Sequence, residues 1–119
     1  NPVVPTTLSA SALTLPALSL GAVGTVDGAP GIAPEYWVEL WEAFKKGDME
    51  QARVAQDKGI AVCNLLRIGG FHGVLKSADS YRLGLDCGTP RPPGIPLSKE
   101  QDDALRERLS DLNLLSSGA

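Results

Sequence analysis

Leu13-Thr-Leu-Pro-Ala-Leu-Ser-Leu-Gly-Ala-Val-Gly-Thr-Val26 is the stretch on which the fold turns. Its leucine-rich first half predicts a helix starting near Ser11 or Thr14, with Pro16 in the first turn, where a missing N–H costs nothing. Gly21 stands where such a helix ends in the left-handed conformation. Ala22-Val-Gly-Thr-Val26 is short, apolar and bounded by glycines, which predicts a buried strand. Upstream, Val3, Val4, Thr6 and Thr7 are β-branched and punctuated by Pro2 and Pro5, which predicts a further strand. A strand, a helix and a strand in that order make a parallel unit, because the helix is the crossover.

The rest of the chain differs in chemistry. Of its 25 Lys, Arg, Asp and Glu side chains, only Asp27 falls in residues 1–34. Such a shift marks a segment buried on most sides, followed by elements with one face in water. Gly28, Pro30, Gly31 and Pro34 read as an irregular loop. Trp37, Leu40, Trp41 and Phe44 then recur with helical spacing, between Pro34 and Gly47. Asp48 to Gln51 is a candidate capping box opening a helix whose inner face is Met49, Ala52, Ala55, Gly59, Val62 and Leu66. Val74, Leu75, Ala78 and Tyr81 predict a third stripe after Gly69-Gly70. The proline-rich run Gly88 to Gly94 breaks it. Ser98 to Gln101 is a second capping box, opening a last helix with Leu105, Leu109 and Leu112 inward.

Composition narrows the function. The chain has 119 residues, 43% apolar and 21% charged, with a net charge of −3. One domain at most is expected. Without a basic excess, nucleic-acid binding by bulk electrostatics is disfavoured. Two cysteines make no disulfide framework, and one histidine with no Cys-x-x-Cys argues against a metal site. The apolar start is interrupted by Pro16, Gly21 and Gly24 and carries no basic flank, so neither a membrane span nor a secretory signal is expected. Asn1 in place of Met points to a processed or incomplete start. There is no internal repeat.

Few residues offer chemistry. Gly21-Ala-Val-Gly24 lacks the helix that a dinucleotide fingerprint needs behind it. Asp27 lies just past the second strand, at the end where parallel α/β folds place their ligands. It serves there as a general base or ligand-orienting group, or else as a loop aspartate bonding its own backbone before Gly28. His72, between glycines near a helix start, has no serine or cysteine nucleophile beside it. Lys76, one turn on, is a desolvated amine or, more commonly, a lysine whose ammonium reaches water. Cys63 reads as a small core residue and Cys87 as a loop thiol. Trp37 and Trp41 read as core or subunit interface before ligand platform.

Taken in order, Leu15-Pro-Ala-Leu-Ser-Leu-Gly-Ala-Val-Gly24, Trp41-Glu-Ala-Phe-Lys-Lys-Gly-Asp48 with Ala52 to Gln56, Gly69-Gly-Phe-His-Gly-Val-Leu-Lys76 and Arg91-Pro-Pro-Gly-Ile-Pro-Leu97 resemble the dihydrodipicolinate synthase/N-acetylneuraminate lyase family over about residues 8–112. That resemblance implies an α/β fold: the C-terminal part of a TIM (β/α)8 barrel, its last two strands, followed by a mostly α-helical appendage. Residues 1–47 then hold the last barrel units, with strands near 3–8 and 22–26 and helices near 13–20 and 35–46. Residues 48–115 hold three helices, and 116–119 fray. Two parallel strands without neighbours make residues 1–34 unstable alone.

The family's enzymes are class I aldolases or lyases in which a lysine on strand six forms a Schiff base with pyruvate or another 2-oxo acid. A full barrel needs roughly 250 residues. The resemblance therefore starts this chain near strand seven, without the lysine, and implies no catalytic residue and no aldol activity in this chain alone. Lys76 corresponds to a helix lysine outside the barrel. The implied substrate-binding residues are Ala10, Val26 and Asp27. Ala10 stands for a family glycine, Val26 matches an aliphatic side chain that packs on the 2-oxo acid, and Asp27 and Gly28 replace serine or glycine. Ala12 and Leu13 replace groups that bind hydroxyls in sialic-acid lyases, which argues against a long polyhydroxy substrate. No cofactor and no metal are implied. The partners implied are a pyruvate-like 2-oxo acid in the intact enzyme and further copies in a homo-oligomer, with no nucleic acid and no membrane, in the cytoplasm. The rival expectation is a non-catalytic helical interaction or oligomerisation module built on residues 34–115.

Overall fold

A computed structural model describes residues 6–116. They form two compact units, one ending at Cys63 and the other beginning at Asn64. The expected strand residues 3–5 and the fraying expected of residues 117–119 lie outside the described residues.

In the first unit, β1 (Thr7–Leu8) and β2 (Gly24–Thr25) pair in parallel, Thr7 opposite Gly24 and Leu8 opposite Thr25. β2 is shorter than the 22–26 that the sequence leads one to expect. A ladder needs partners, and among the described residues this sheet has two strands only. Val23 and Val26, which flank β2, are 50% and 68% exposed in consequence. The crossover is a 3-10 turn, Ser11–Leu13, running into α1 (Thr14–Ser19). α1 ends at Gly21, whose φ of 98° lets the Gly21 and Ala22 amides turn back to the Leu18 and Ala17 carbonyls at 3.0 and 2.9 Å.

The segment expected to be an irregular loop contains a helical turn, α2 (Ala29–Ile32). Pro30 sits in its first turn, where proline is tolerated, and Ala29 and Ile32, three apart, are both buried. α3 (Pro34–Lys46) opens on Pro34 and Glu35 and closes on Lys45 and Lys46, charges that suit the dipole at each end. Trp37, Leu40 and Ala43 face inward. Trp41, at one edge of the stripe, is 36% exposed, Ala43 at the other edge is buried, and Lys45 lies over the Trp41 ring at 5.5 Å.

α4 (Met49–Leu65) follows after two residues. The Gly47 and Asp48 amides close α3 on the Phe44 and Ala43 carbonyls, both at 3.0 Å. That makes the expected capping box one-sided. The Asp48 carboxylate accepts the Gln51 amide at 3.1 Å, but the Asp48 amide is already engaged and the Gln51 side chain donates to Glu39. Leu15, Leu18, Leu40, Ala43, Ala52 and Ala55 form the core, with Phe44 and Met49 against it. Small residues let α3 and α4 approach: a Cβ on Gly59 would stand 3.1 Å from the Trp37 ring.

In the second unit α5 (Phe71–Leu83) packs on α6 (Lys99–Asp111). Val74 and Ala78 are buried on α5, Leu105 and Leu109 on α6. The expected capping box at Ser98 is complete, with the Gln101 amide donating to Ser98 Oγ at 3.2 Å and the Ser98 amide to Gln101 Oε1 at 3.0 Å. Leu112 is only half-buried. Asn113 takes a positive φ of 57°, which turns Leu114 inward to 2% exposure. The proline segment lies across the first turn of α5, where a Cβ on Gly73 would meet the Ile95 carbonyl oxygen at 2.6 Å. Tyr81 donates to the Asp102 carboxylate at 2.5 Å, joining the two helices. Among the described residues no helix is long and apolar enough to cross a membrane.

Candidate functional site

The parallel register brings the two strand ends side by side. Ala10 lies two residues beyond β1 and Asp27 two residues beyond β2, at the carboxyl end of both. That is the end at which parallel α/β folds bind ligands. Three of the sequence-derived candidates meet there: Ala10 is half-buried, Val26 is mostly exposed, and Asp27 is half-buried.

Asp27 is engaged on both oxygens. Oδ2 accepts from the amide and from the hydroxyl of Ser11, each at 2.8 Å, and Oδ1 accepts from the Gly28 amide at 2.7 Å. The Ser11 amide chiefly, then its hydroxyl and the Gly28 amide, hold the Asp27 carboxyl below the usual carboxylate range, against the opposing effect of burial. A carboxylate stabilised in this way is a weak base. The loop-aspartate role is realised at Gly28, and a tie across to β1 is added that the sequence did not disclose.

Ser11, 1% exposed, is the hub. Its carbonyl accepts from Thr14 Oγ1 at 2.8 Å, Gln56 Nε2 at 3.2 Å and Trp37 Nε1 at 3.3 Å. Its hydroxyl also lies 3.4 Å from Cys63 Sγ. The hydroxyl proton is spent on Asp27, so the thiol is the donor. Burial, with the nearby Asp27 charge, pushes the Cys63 thiol up and keeps that proton in place. Gln56 completes the set: its Oε1 accepts the Leu15 amide at 2.8 Å while its Nε2 reaches Ser11. The side-chain amide of α4 thus holds the start of α1.

Sequence reasoning passed over Ser11 and Gln56. The available signal was Gln56 itself, a polar residue beside Ala52, Ala55 and Gly59 on the face that α4 buries.

The remaining candidates are not brought to this place. His72 and Lys76 are exposed on α5 in the second unit, His72 edge-on to Phe71 at 5.1 Å. Cys63 and Cys87 are free thiols, and the Cys87 amide donates to Ser80. The tryptophan pair borders an open apolar hollow of about 300 Å³, with Leu18, Val23, Thr25 and Val38. Among the described residues no group of three His, Cys, Asp or Glu is placed to hold a metal ion.

Comparison with known proteins gives one consistent result. Residues 9–112 match the model of the dihydrodipicolinate synthetase family. The 4-hydroxy-tetrahydrodipicolinate synthase of Archaeoglobus fulgidus is 36% identical over 104 residues, covering 87% of this chain and 36% of that protein. Among solved structures, Proteus mirabilis N-acetylneuraminate lyase superposes with a TM-score of 0.75 at 31% identity, covering 93% of this chain and 37% of the lyase. A Sulfolobus 2-keto-3-deoxygluconate aldolase in complex with D-KDPG gives 0.81 at 26% identity, covering 98% of this chain and 42% of the aldolase. The solved neighbours include TIM-barrel aldolases. The chain spans about a third of the length of the curated relatives it matches.

Proposed function

The chain belongs to the dihydrodipicolinate synthetase family, and from that premise we propose that it is the carboxyl-terminal part of a (β/α)8-barrel lyase that forms or cleaves a carbon–carbon bond of a 2-oxo acid. β1 and β2 serve as the last two barrel strands, α1 and α3 as their helices, and α4 to α6 as the appendage. The observation that carries this is the parallel pair with its helical crossover, which delivers Ala10 and Val26 to one end of the sheet. The Schiff-base lysine belongs, on this proposal, to the part of the barrel that precedes these strands.

Within the assembled site this chain supplies walls and not reacting groups. Val26, exposed at the end of β2, offers an aliphatic surface to the bound 2-oxo acid. Ala10 lets the substrate come close to the turn after β1. Asp27 orders that turn, since both its oxygens are taken by protein donors. Apolar walls exclude water, which favours the iminium over its hydrolysis. Copies of the chain associate through the helices as a homo-oligomer.

The test is reductive trapping. The native gene product is isolated from its source, weighed intact, and treated with pyruvate and borohydride. The expected result is a polypeptide of about 250 residues or more with the reduced adduct on a lysine outside residues 1–119. An adduct on Lys76, or a native product of 119 residues that forms none, refutes the proposal and favours the helical interaction module.

A further inference from the structure

We propose that Asp27 is a positioning residue: gripping Ser11 by both its amide and its hydroxyl, it sets the conformation of the turn 9–13, which Gln56 locks from the side of α4. This rests on the barrel reading above and deepens it. The turn lines the proposed site through Ala10, yet it has little of its own to hold it. Ala10, at the start of the 3-10 turn, gives no side-chain cap. The missing cap is supplied from just beyond β2 by Asp27, sixteen residues from Ser11.

The grip constrains more than one degree of freedom. A single oxygen, Oδ2, takes both Ser11 donors at 2.8 Å, so the backbone and the χ1 of Ser11 are fixed together. The Ser11 carbonyl points the other way, into the donors of Gln56, Trp37 and Thr14. Gln56 also closes on the Leu15 amide, so the start of the 3-10 turn and the first turn of α1 are tied to one side chain. Three segments of the first unit therefore meet on one serine that is 1% exposed. Removing the carboxylate leaves the Ser11 hydroxyl only the Cys63 sulfur and strands the buried Ser11 amide, which movement of the turn relieves. Ala10 moves with it. Asp27 thus acts on substrate without touching it.

The experiment uses the full-length native protein carrying Asp27→Ala, Ser11→Ala, both together, or Asp27→Asn. Kinetics with pyruvate and amide hydrogen exchange are measured on each. Asp27→Ala is expected to raise KM for pyruvate about tenfold while kcat stays within about threefold, the pattern of a displaced wall. The double variant is expected to be no worse than the poorer single variant, because both act through one turn. Asp27→Asn keeps one oxygen for Ser11 and recovers most of the loss. In exchange, the Ser11 amide loses about tenfold protection or more in Asp27→Ala while the amides of Ala52 to Val62 keep theirs.

A fall of about a hundredfold in kcat with Asp27→Asn makes Asp27 an acid or base and overturns the proposal. Additive losses in the double variant do the same. If the unsubstituted protein forms no trapped adduct with pyruvate, the barrel reading falls by itself. The exchange result still decides: unchanged protection at Ser11 in Asp27→Ala, or in Ser11→Ala should the first variant fail to fold, ends the positioning role.

Discussion

Gly73→Ala inverts the usual consequence of putting alanine into a helix. Gly73 lies in the first turn of α5, and a glycine in a helix ordinarily gives up about 1 kcal/mol relative to alanine, less near an end. Here the added Cβ would stand 2.6 Å from the Ile95 carbonyl oxygen and 3.4 Å from the Leu97 amide nitrogen. Both are backbone atoms, so no rotamer change relieves the overlap. The proline segment has to lift by about half an ångström or more, loosening Leu97 where it rests beside Gly69. Overpacking of this kind costs typically 1–3 kcal/mol. Set against the helical gain, the net loss expected is about 1–2 kcal/mol. The control is Gly31→Ala in α2, where nothing lies within 4 Å of the new Cβ and the same change stabilises by about 0.4–1 kcal/mol. The assay is urea unfolding of the native protein, with exchange of the α5 amides to confine the loss to the second unit. A Gly73→Ala protein as stable as its parent refutes the reasoning: the segment would not then be held against α5.

Other outcomes are open to direct measurement. The Asp27 carboxyl is depressed in the folded protein, so the stability it gives is full above the ordinary carboxylate value near 4 and is lost as pH falls through its lower folded value. The stability gap between the native protein and Asp27→Asn should therefore narrow on acidification below about pH 4; a gap that widens contradicts the assignment. Tyr81, held neutral chiefly by its bond to Asp102, is pushed up to about 12, so its contribution is full below the ordinary value near 10 and is lost as pH rises from there through the folded one. Phenolate absorbance should show one late-titrating tyrosine that Tyr81→Phe removes, at a cost of about 1 kcal/mol for a bond that is partly exposed. Ser98→Ala opens the capping box of α6 and should cost about 1 kcal/mol in denaturant titration, with the α6 amides exchanging first.

What the sequence disclosed and what it withheld divide by distance along the chain. α3 is bracketed by Pro34 and Gly47, α6 is opened by Ser98 and Gln101, and α1 is closed by Gly21; each signal lies within a few residues of the structure it fixes. The family, too, was legible, because the order of four short motifs carries it. α2 was lost to an over-simple view of proline: Pro30 breaks a helix interior but fits a first turn. Trp41 shares the helical spacing of Trp37 and Leu40 but sits at the edge of their stripe, which periodicity alone did not show. Leu112 lost its place to Leu114 because Asn113 turns the chain. In the candidate site, Asp27 was picked out by its isolation in an apolar third, but its partners lie 16 residues away at Ser11, and Ser11 in turn meets Gln56 at 45. No local pattern encodes such a meeting; only the parallel register and the packing of α4 create it.

Asp48 does two jobs in adjacent helices: its amide finishes α3 and its carboxylate begins α4. The joint therefore has no slack. Adding or removing one residue there would turn α4 by about 100° on its own axis, carrying Gln56 off Leu15 and Ser11 and swinging a charged neighbour such as Asp57 toward the core. The number of residues here cannot change, and Gly47, at a φ of 76°, takes no side chain without strain. In descendants of this sequence, insertions and deletions should avoid residues 46–49, and Gly47 should stay glycine.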